Sequence, residues 1–309
     1  MKNGVLICML ATALAAATPG ISASLPSAPG ASVQMVVTVV LGPDSRKPQN
    51  LGADDLAVSI NKIPARFVSS EPLTDGAANM QLFVLLDNSL PASTLGLHLP
   101  ALKSFLGCLP ATTQVAVGYM QNGTFSLAQA FTTDHQKAEG ALHLPMGIPG
   151  ENGSPYFALS DLAKHWPSKE PTGRRAVLML TDGVDRYYGA ALVNDPYVDT
   201  AVRDALKQGV MVYSIYLRDA GLYDRSGRQT LYAQSRLNQV SQQTGGYAYF
   251  QDFSNPVSLS PFLTDLQDRF EHQYRVTVES FTGKGVQPVQ VRSELPGVKI
   301  QGPTRIFVQ

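Results

Sequence analysis

Gln81-Leu82-Phe83-Val84-Leu85-Leu86 runs directly into Asp87-Asn88-Ser89-Leu90-Pro91. The first part is almost wholly apolar and does not alternate. A strand covered on one face alternates with period two, whereas a continuous apolar run marks a strand buried on both faces, as in a parallel sheet. The stretch Arg175 to Leu180 has the same character and runs into Thr181-Asp182-Gly183-Val184-Asp185. Two core strands that each end in acid decide both the fold and the place to look for a site.

Outward from these strands, helix-spaced and strand-like segments alternate. Ser93 to Leu109 has helical spacing with a kink expected at Pro100. Gln114 to Met120 and Thr124 to Thr132 flank Asn122-Gly123, a strong hairpin turn. Asp134 is placed to cap a helix running to Leu142, and Tyr156 to Trp166 predicts another. Asp195 to Gln208 predicts a helix ended by Gly209, then Val210 to Leu217 a strand. Leu231 to Thr244 predicts a helix closed by Gly245-Gly246, followed by a strand at Tyr247 to Gln251 and a helix at Pro261 to His272. This order predicts an α/β domain over residues 80–272, a doubly wound, mostly parallel sheet with one antiparallel edge strand.

The flanks read as β. Residues 33–72 hold short strands at 33–41, 56–60 and 64–69, too little to bury a core alone. Residues 273–309 hold three more, at 274–281, 288–293 and 298–308. The two groups are expected to pair into one accessory sheet. Before them, residues 25–32 are a Ser/Pro/Ala/Gly-rich leader, and residues 1–24 read as a signal peptide. Lys2 precedes the uncharged run Val5 to Ala17, and Ser22-Ala23-Ser24 offers small residues for cleavage. The rival reading is an uncleaved anchor, for which the run is short against the about 20 residues of a span. No later stretch is long and apolar enough to cross a bilayer. Export to the periplasm or medium is the expected destination.

The 309 residues carry no formal net charge, with 44% hydrophobic and 16% charged residues. A sizeable core is affordable, and the charge balance argues against nucleic acid or an anionic membrane as partner. Cys8 falls in the signal, which leaves Cys108 alone in an apolar helical stretch, read as a buried small hydrophobe.

In an open α/β sheet, ligands bind beyond the carboxyl ends of the strands, where the strand order reverses. If the two acid-tipped strands are neighbours there, Asp87, Ser89, Ser154 and Asp182 converge on one crevice. Gly153-Ser154-Pro155 enters from a helix start between them. Carboxylates and hydroxyls are the hard oxygen ligands that Mg²⁺ or Mn²⁺ prefers.

These motifs resemble the von Willebrand factor type A domain and its metal-ion-dependent adhesion site. The family's Asp-x-Ser-x-Ser reads here Asp87-Asn88-Ser89-Leu90-Pro91, its second-loop Thr matches Ser154, and its Thr-Asp-Gly matches Thr181-Asp182-Gly183. The resemblance spans about residues 80–272. The flanks, with Leu51-Gly-Ala-Asp-Asp-Leu56, Tyr274-Arg-Val-Thr-Val278 and Gly297-Val-Lys-Ile300, are similar to exported type A-related proteins of acidobacteria. The resemblance implies a protein-binding module for adhesion or assembly, with Asp87, Ser89, Ser154 and Asp182 around Mg²⁺ or Mn²⁺. Pro91 stands where the family has a serine, so one hydroxyl ligand is missing. Two readings stay open: a degenerate metal site completed by water, or a structural or assembly protein with a metal-free site that binds through loops or the accessory unit.

Tyr187 and Tyr188 follow the Thr-Asp-Gly motif on the expected rim, as partner-binding aromatics or as loop packing. Arg218 to Gln229 should reach the same edge, as a binding loop or a tolerated insertion. No nucleophile elbow, phosphate loop or dinucleotide fingerprint is present, and nothing beside the paired acids supplies a nucleophile. The expectation is a protein without enzymatic activity.

Overall fold

The computed structural model describes residues 30–74, 79–146, 153–170, 172–186, 195–217, 227–250 and 258–309. The expected signal peptide, Tyr187, Tyr188 and most of the Arg218–Gln229 loop lie outside these residues. The chain begins with β1 (Ala31–Leu41), β2 (Leu56–Ile60), β3 (Ile63–Pro64) and β4 (Arg66–Pro72). The central part follows as β5 (Met80–Asp87), α1 (Ala92–Gly96), α2 (Leu99–Gly107), β6 (Thr113–Gln121), β7 (Thr124–Thr132), α3 (His135–Gly140), α4 (Pro155–Lys164), β8 (Arg174–Thr181), α5 (Pro196–Lys207), β9 (Val210–Tyr216), α6 (Gly227–Thr244), β10 (Ala248–Phe250) and α7 (Ser260–Glu271). It closes with β11 (Gln273–Ser280), β12 (Gly285–Ser293), β13 (Val298–Gln301) and β14 (Arg305–Val308).

The central strands form a six-stranded sheet in the order β10-β9-β8-β5-β6-β7. All neighbours are parallel except β7, which pairs antiparallel with β6 at one edge. This is the doubly wound architecture expected from the alternating pattern. Every residue of β5 is buried, and its side chains serve two cores in turn. Leu82, Val84 and Leu86 pack with Leu102, Phe105, Leu263 and Leu266 from α2 and α7. Phe83 and Leu85 pack with Leu159, Val202 and Leu237 from α4, α5 and α6. The unbroken apolar run follows from helices on both sides. At the hairpin, Asn122 and Gly123 take positive φ values of 49° and 76°, the pair of left-handed conformations that a primed two-residue turn uses.

Three local expectations need correction. The segment expected as one kinked helix is two, α1 and α2, with the break before Pro100. A proline inside a helix lacks the N–H its turn needs and clashes with the preceding turn, but it suits a helix start, where Pro100 now sits in α2. Cys108 is exposed rather than buried, because α2 ends at Gly107 and Cys108 is its C-cap. The strand expected over 298–308 splits around Gly302-Pro303 into β13 and β14, which go to different sheets.

As a result the accessory unit is two four-stranded sheets rather than one, β13-β1-β11-β4 and β14-β12-β2-β3. Both chain ends build it: β1 pairs antiparallel with β11 from Ala31↔Ser280 to Thr38↔Gln273, and β2 pairs with β12. Val33, Met35, Val37, Ile60, Tyr274, Val276 and Ile306 share its core. The unit docks near the amino-terminal edge of the central sheet. There Gln273 Nε2 donates to Tyr213 Oη at 2.7 Å, and Arg275 Nη2 donates to Gly173 O at 2.8 Å. Among the described residues, no helix is long and apolar enough to cross a membrane.

Candidate functional site

Strand β5 lies between β6 and β8, so the chain leaves it in one direction and returns on the other side. That makes the β5/β8 pair the switch point of the sheet. The register Leu86↔Leu180 sets Asp87 beside Thr181 at the carboxyl edge. Thr181 Oγ1 donates to Asp87 Oδ2 at 2.6 Å, while Ser89 donates to Asp87 Oδ1 through its backbone N–H at 2.9 Å and its hydroxyl at 2.6 Å. Asp87 is thereby locked on both carboxylate oxygens.

The second acid is held differently. Asp182 is fully buried, and its Oδ1 accepts the Val184 N–H at 3.0 Å. Arg186, four residues on, folds back over the loop and donates through Nη2 to Asp182 Oδ2 at 2.6 Å. The same guanidinium reaches Ser89 Oγ through Nη1 at 3.2 Å. One cation therefore spans the loops after β5 and β8. Gly183 between the acids has φ +66°, and a Cβ there would lie 2.8 Å from Leu237 and 3.0 Å from Ala233 O, so the turn needs glycine. Tyr156 from α4 buttresses it, donating to Gly183 O at 2.9 Å.

Ser154 meets this cluster from the third loop, where the Arg186 N–H donates to Gly153 O at 3.1 Å. Its hydroxyl has two duties: it donates to buried Asp185 at 2.7 Å, and it caps α4 by accepting the Phe157 N–H at 3.3 Å. Ser154→Ala removes the cap and leaves Asp185 without that donor. It is expected to cost about 1–2 kcal/mol in urea unfolding without any metal present. An unchanged unfolding midpoint would show that neither bond matters to stability.

The electrostatics follow from this geometry. Burial raises the Asp87 carboxyl above its ordinary range and nearby Asp182 raises it further, while Arg186 and the hydrogen bonds from Ser89 and Thr181 oppose them. Two buried acids in one notch need a positive charge. Mg²⁺ would ask for near-octahedral oxygens at about 2.0–2.1 Å. Here Ser89 Oγ and Asp182 are engaged by a guanidinium, Ser154 by Asp185 and Phe157, and position 91 is proline. In this arrangement the residues fit the arginine and do not fit a divalent ion beside it. Among the described residues, no group of three or more His, Cys, Asp or Glu side chains could hold a metal.

Of the four residues singled out in the sequence, Asp87, Ser89 and Asp182 share the hydrogen-bond network around Arg186, whereas Ser154 bonds Asp185 and the Phe157 N–H on the adjoining loop. The structure adds Thr181, Asp185 and Arg186, to which the sequence reading assigned no role. The sequence places a cation four residues after Asp182, but a loop arginine is ordinarily solvated and by itself gives no sign of this role.

No family model and no curated protein matches the chain. Solved structures do. A conserved hypothetical protein BatB from Bacteroides thetaiotaomicron is 17% identical, with 62% of this chain and 96% of that one covered at a TM-score of 0.44. An aerotolerance-related membrane protein from Bacteroides fragilis is 14% identical over 62% and 98%, also at 0.44. The vWF domain of the type V pili tip protein Mfa5 from Porphyromonas gingivalis is 9% identical over 61% and 94%, at 0.43. The strand order and single antiparallel edge strand give the central part of this chain the doubly wound, mostly parallel α/β fold that its resemblance to the von Willebrand factor type A domain implies.

Proposed function

We propose that the chain is an exported, non-catalytic protein-binding module whose carboxyl-edge crevice is a metal-free contact surface, neutralised from within by Arg186. The observation behind this reading is the Arg186 guanidinium, bonded at once to buried Asp182 and to Ser89. A site that uses a metal to capture a partner's carboxylate keeps an open coordination position. A site closed by its own guanidinium presents a pre-formed surface of loops instead. The partner is a protein, met by the loops that follow β5 and β8 and precede α4. Export rests on the amino-terminal sequence pattern.

Titration calorimetry with Mg²⁺ and Mn²⁺ tests the reading. The expected result is no saturable heat with the natural sequence. A photo-crosslinking residue at exposed Ala92 is expected to capture the same partner with and without chelator. Saturable heat, together with capture that chelator abolishes, would instead support metal-dependent adhesion through Asp87, Ser89, Ser154 and Asp182.

A further inference from the structure

At the opposite edge of the sheet, a cavity of about 420 Å³ opens between the starts of β8 and β9 and the accessory strands β1, β11 and β14. Small-molecule sites commonly occupy about 300–1,000 Å³. The lining includes Arg174, Arg175 and Arg275 and no acidic residue, alongside apolar Met35, Met211 and Phe307. Every charged side chain in this lining is cationic, although the chain as a whole has zero formal net charge.

The three arginines are not equally answered. Arg275 has Glu71 at 2.8 Å. Arg175 lies over the Trp166 ring at 5.7 Å and donates to Gln208 O at 3.3 Å, both uncharged partners. Arg174 is only 7% exposed. Its Nη1 donates to Phe270 O at 2.7 Å and to the Gln273 side-chain oxygen, and its Nε is buried with no hydrogen-bond partner. Among the described residues no carboxylate forms an ion pair with Arg174 or Arg175. Burial lowers the Arg174 pKa to about 10, with Tyr213 opposing the shift, so the group stays charged at neutral pH. These two neutral acceptors and the Phe270 ring, 5.6 Å from the guanidinium, supply no counter-charge, and a buried cation without one is expensive to keep. A guanidinium presents paired donors that match a carboxylate.

We propose that this cavity binds an organic carboxylate, with the acid group on Arg174 and Arg175 and an apolar body against Met35, Met211 and Phe307. The same chemistry is offered by a free small acid and by the carboxyl terminus of a peptide. The site is separate from the Asp87 crevice and does not depend on how that crevice works.

Calorimetric titration of the full chain with hexanoate, hexan-1-ol, inorganic phosphate, and N-acetyl-Ala-Leu as the free acid and as the amide tests the proposal. Saturable binding of hexanoate or of the peptide acid is expected, with the matched alcohol or amide weaker by at least about tenfold. Tighter binding of the peptide acid than of hexanoate identifies a carboxyl terminus as the source, and the reverse a free acid. Arg174→Met and Arg175→Gln are each expected to weaken binding at least about tenfold. Should Arg174→Met fail to fold, Arg175→Gln on the half-buried rim decides alone. No saturable binding of either acid, binding of phosphate in their place, or an unchanged affinity in the folded variants overturns the proposal.

Discussion

Arg186→Ala is expected to lower the unfolding free energy by about 3–5 kcal/mol, the cost of removing one partner from a buried ion pair. The magnitude follows from burial: the side chains of Arg186 and Asp182 are 12% and 0% exposed. An exposed pair of the same geometry would be worth about 0–1 kcal/mol. Urea unfolding distinguishes the two, and a loss below about 1 kcal/mol would remove Arg186 from its role as the charge that permits the notch to form. Asp182→Asn added to Arg186→Ala is expected to recover part of the loss, because the stranded carboxylate goes with it. In the single variant, millimolar Mg²⁺ is expected to raise the unfolding midpoint, since the vacated notch retains the acids and hydroxyls of a cation site. In the natural sequence the same addition is expected to do nothing.

Gly246→Ala is the second large effect. A Cβ at Gly246 would lie 2.0 Å from Val212 O and 2.5 Å from its carbonyl carbon. Both are backbone atoms of β9, a central strand, so neither can turn aside as a side-chain tip would. Either the α6–β10 connection or β9 itself must move, and overpacking costs about 1–3 kcal/mol, occasionally more, with backbone approaches this close expected at the upper end. Gly246 N also donates to Ser241 O at 2.9 Å, so any shift disturbs the end of α6. Thermal unfolding measures the result. A variant as stable as the natural chain would mean that this connection is loosely held.

These two positions show where reading residues in order succeeds and where it stops. Gly245-Gly246 reads as a helix end, and Gly245, at φ +90°, accounts for that locally. The demand on Gly246 comes from Val212, far away in sequence, and no local pattern contains it. Likewise the full burial of β5, and of β8 beyond Arg175, is legible because a strand covered twice needs a nearly unbroken apolar run. The hairpin is legible because Asn122-Gly123 is a local signal. The separation of β13 from β14 is decided by which of two accessory sheets each strand joins, a long-range choice that Gly302-Pro303 permits without announcing. In the site, Asp87, Ser89, Ser154 and Asp182 stand out because acids and hydroxyls at strand ends are rare in an apolar context. Arg186 does not, because arginine in a loop is ordinarily solvated. Its meaning depends on the chain folding back over Asp182.

The pairing of β1 with β11 has a consequence for biogenesis. During vectorial synthesis the apolar strand Ala31–Leu41 emerges some 230 residues ahead of its partner Gln273–Ser280. Through that interval its hydrogen-bonding edges are open, a template for unwanted pairing with other chains. Nascent chains that terminate before β11 should therefore be sticky and sensitive to proteases, and a holding chaperone that covers β1 until the last strands arrive would suit this order of assembly.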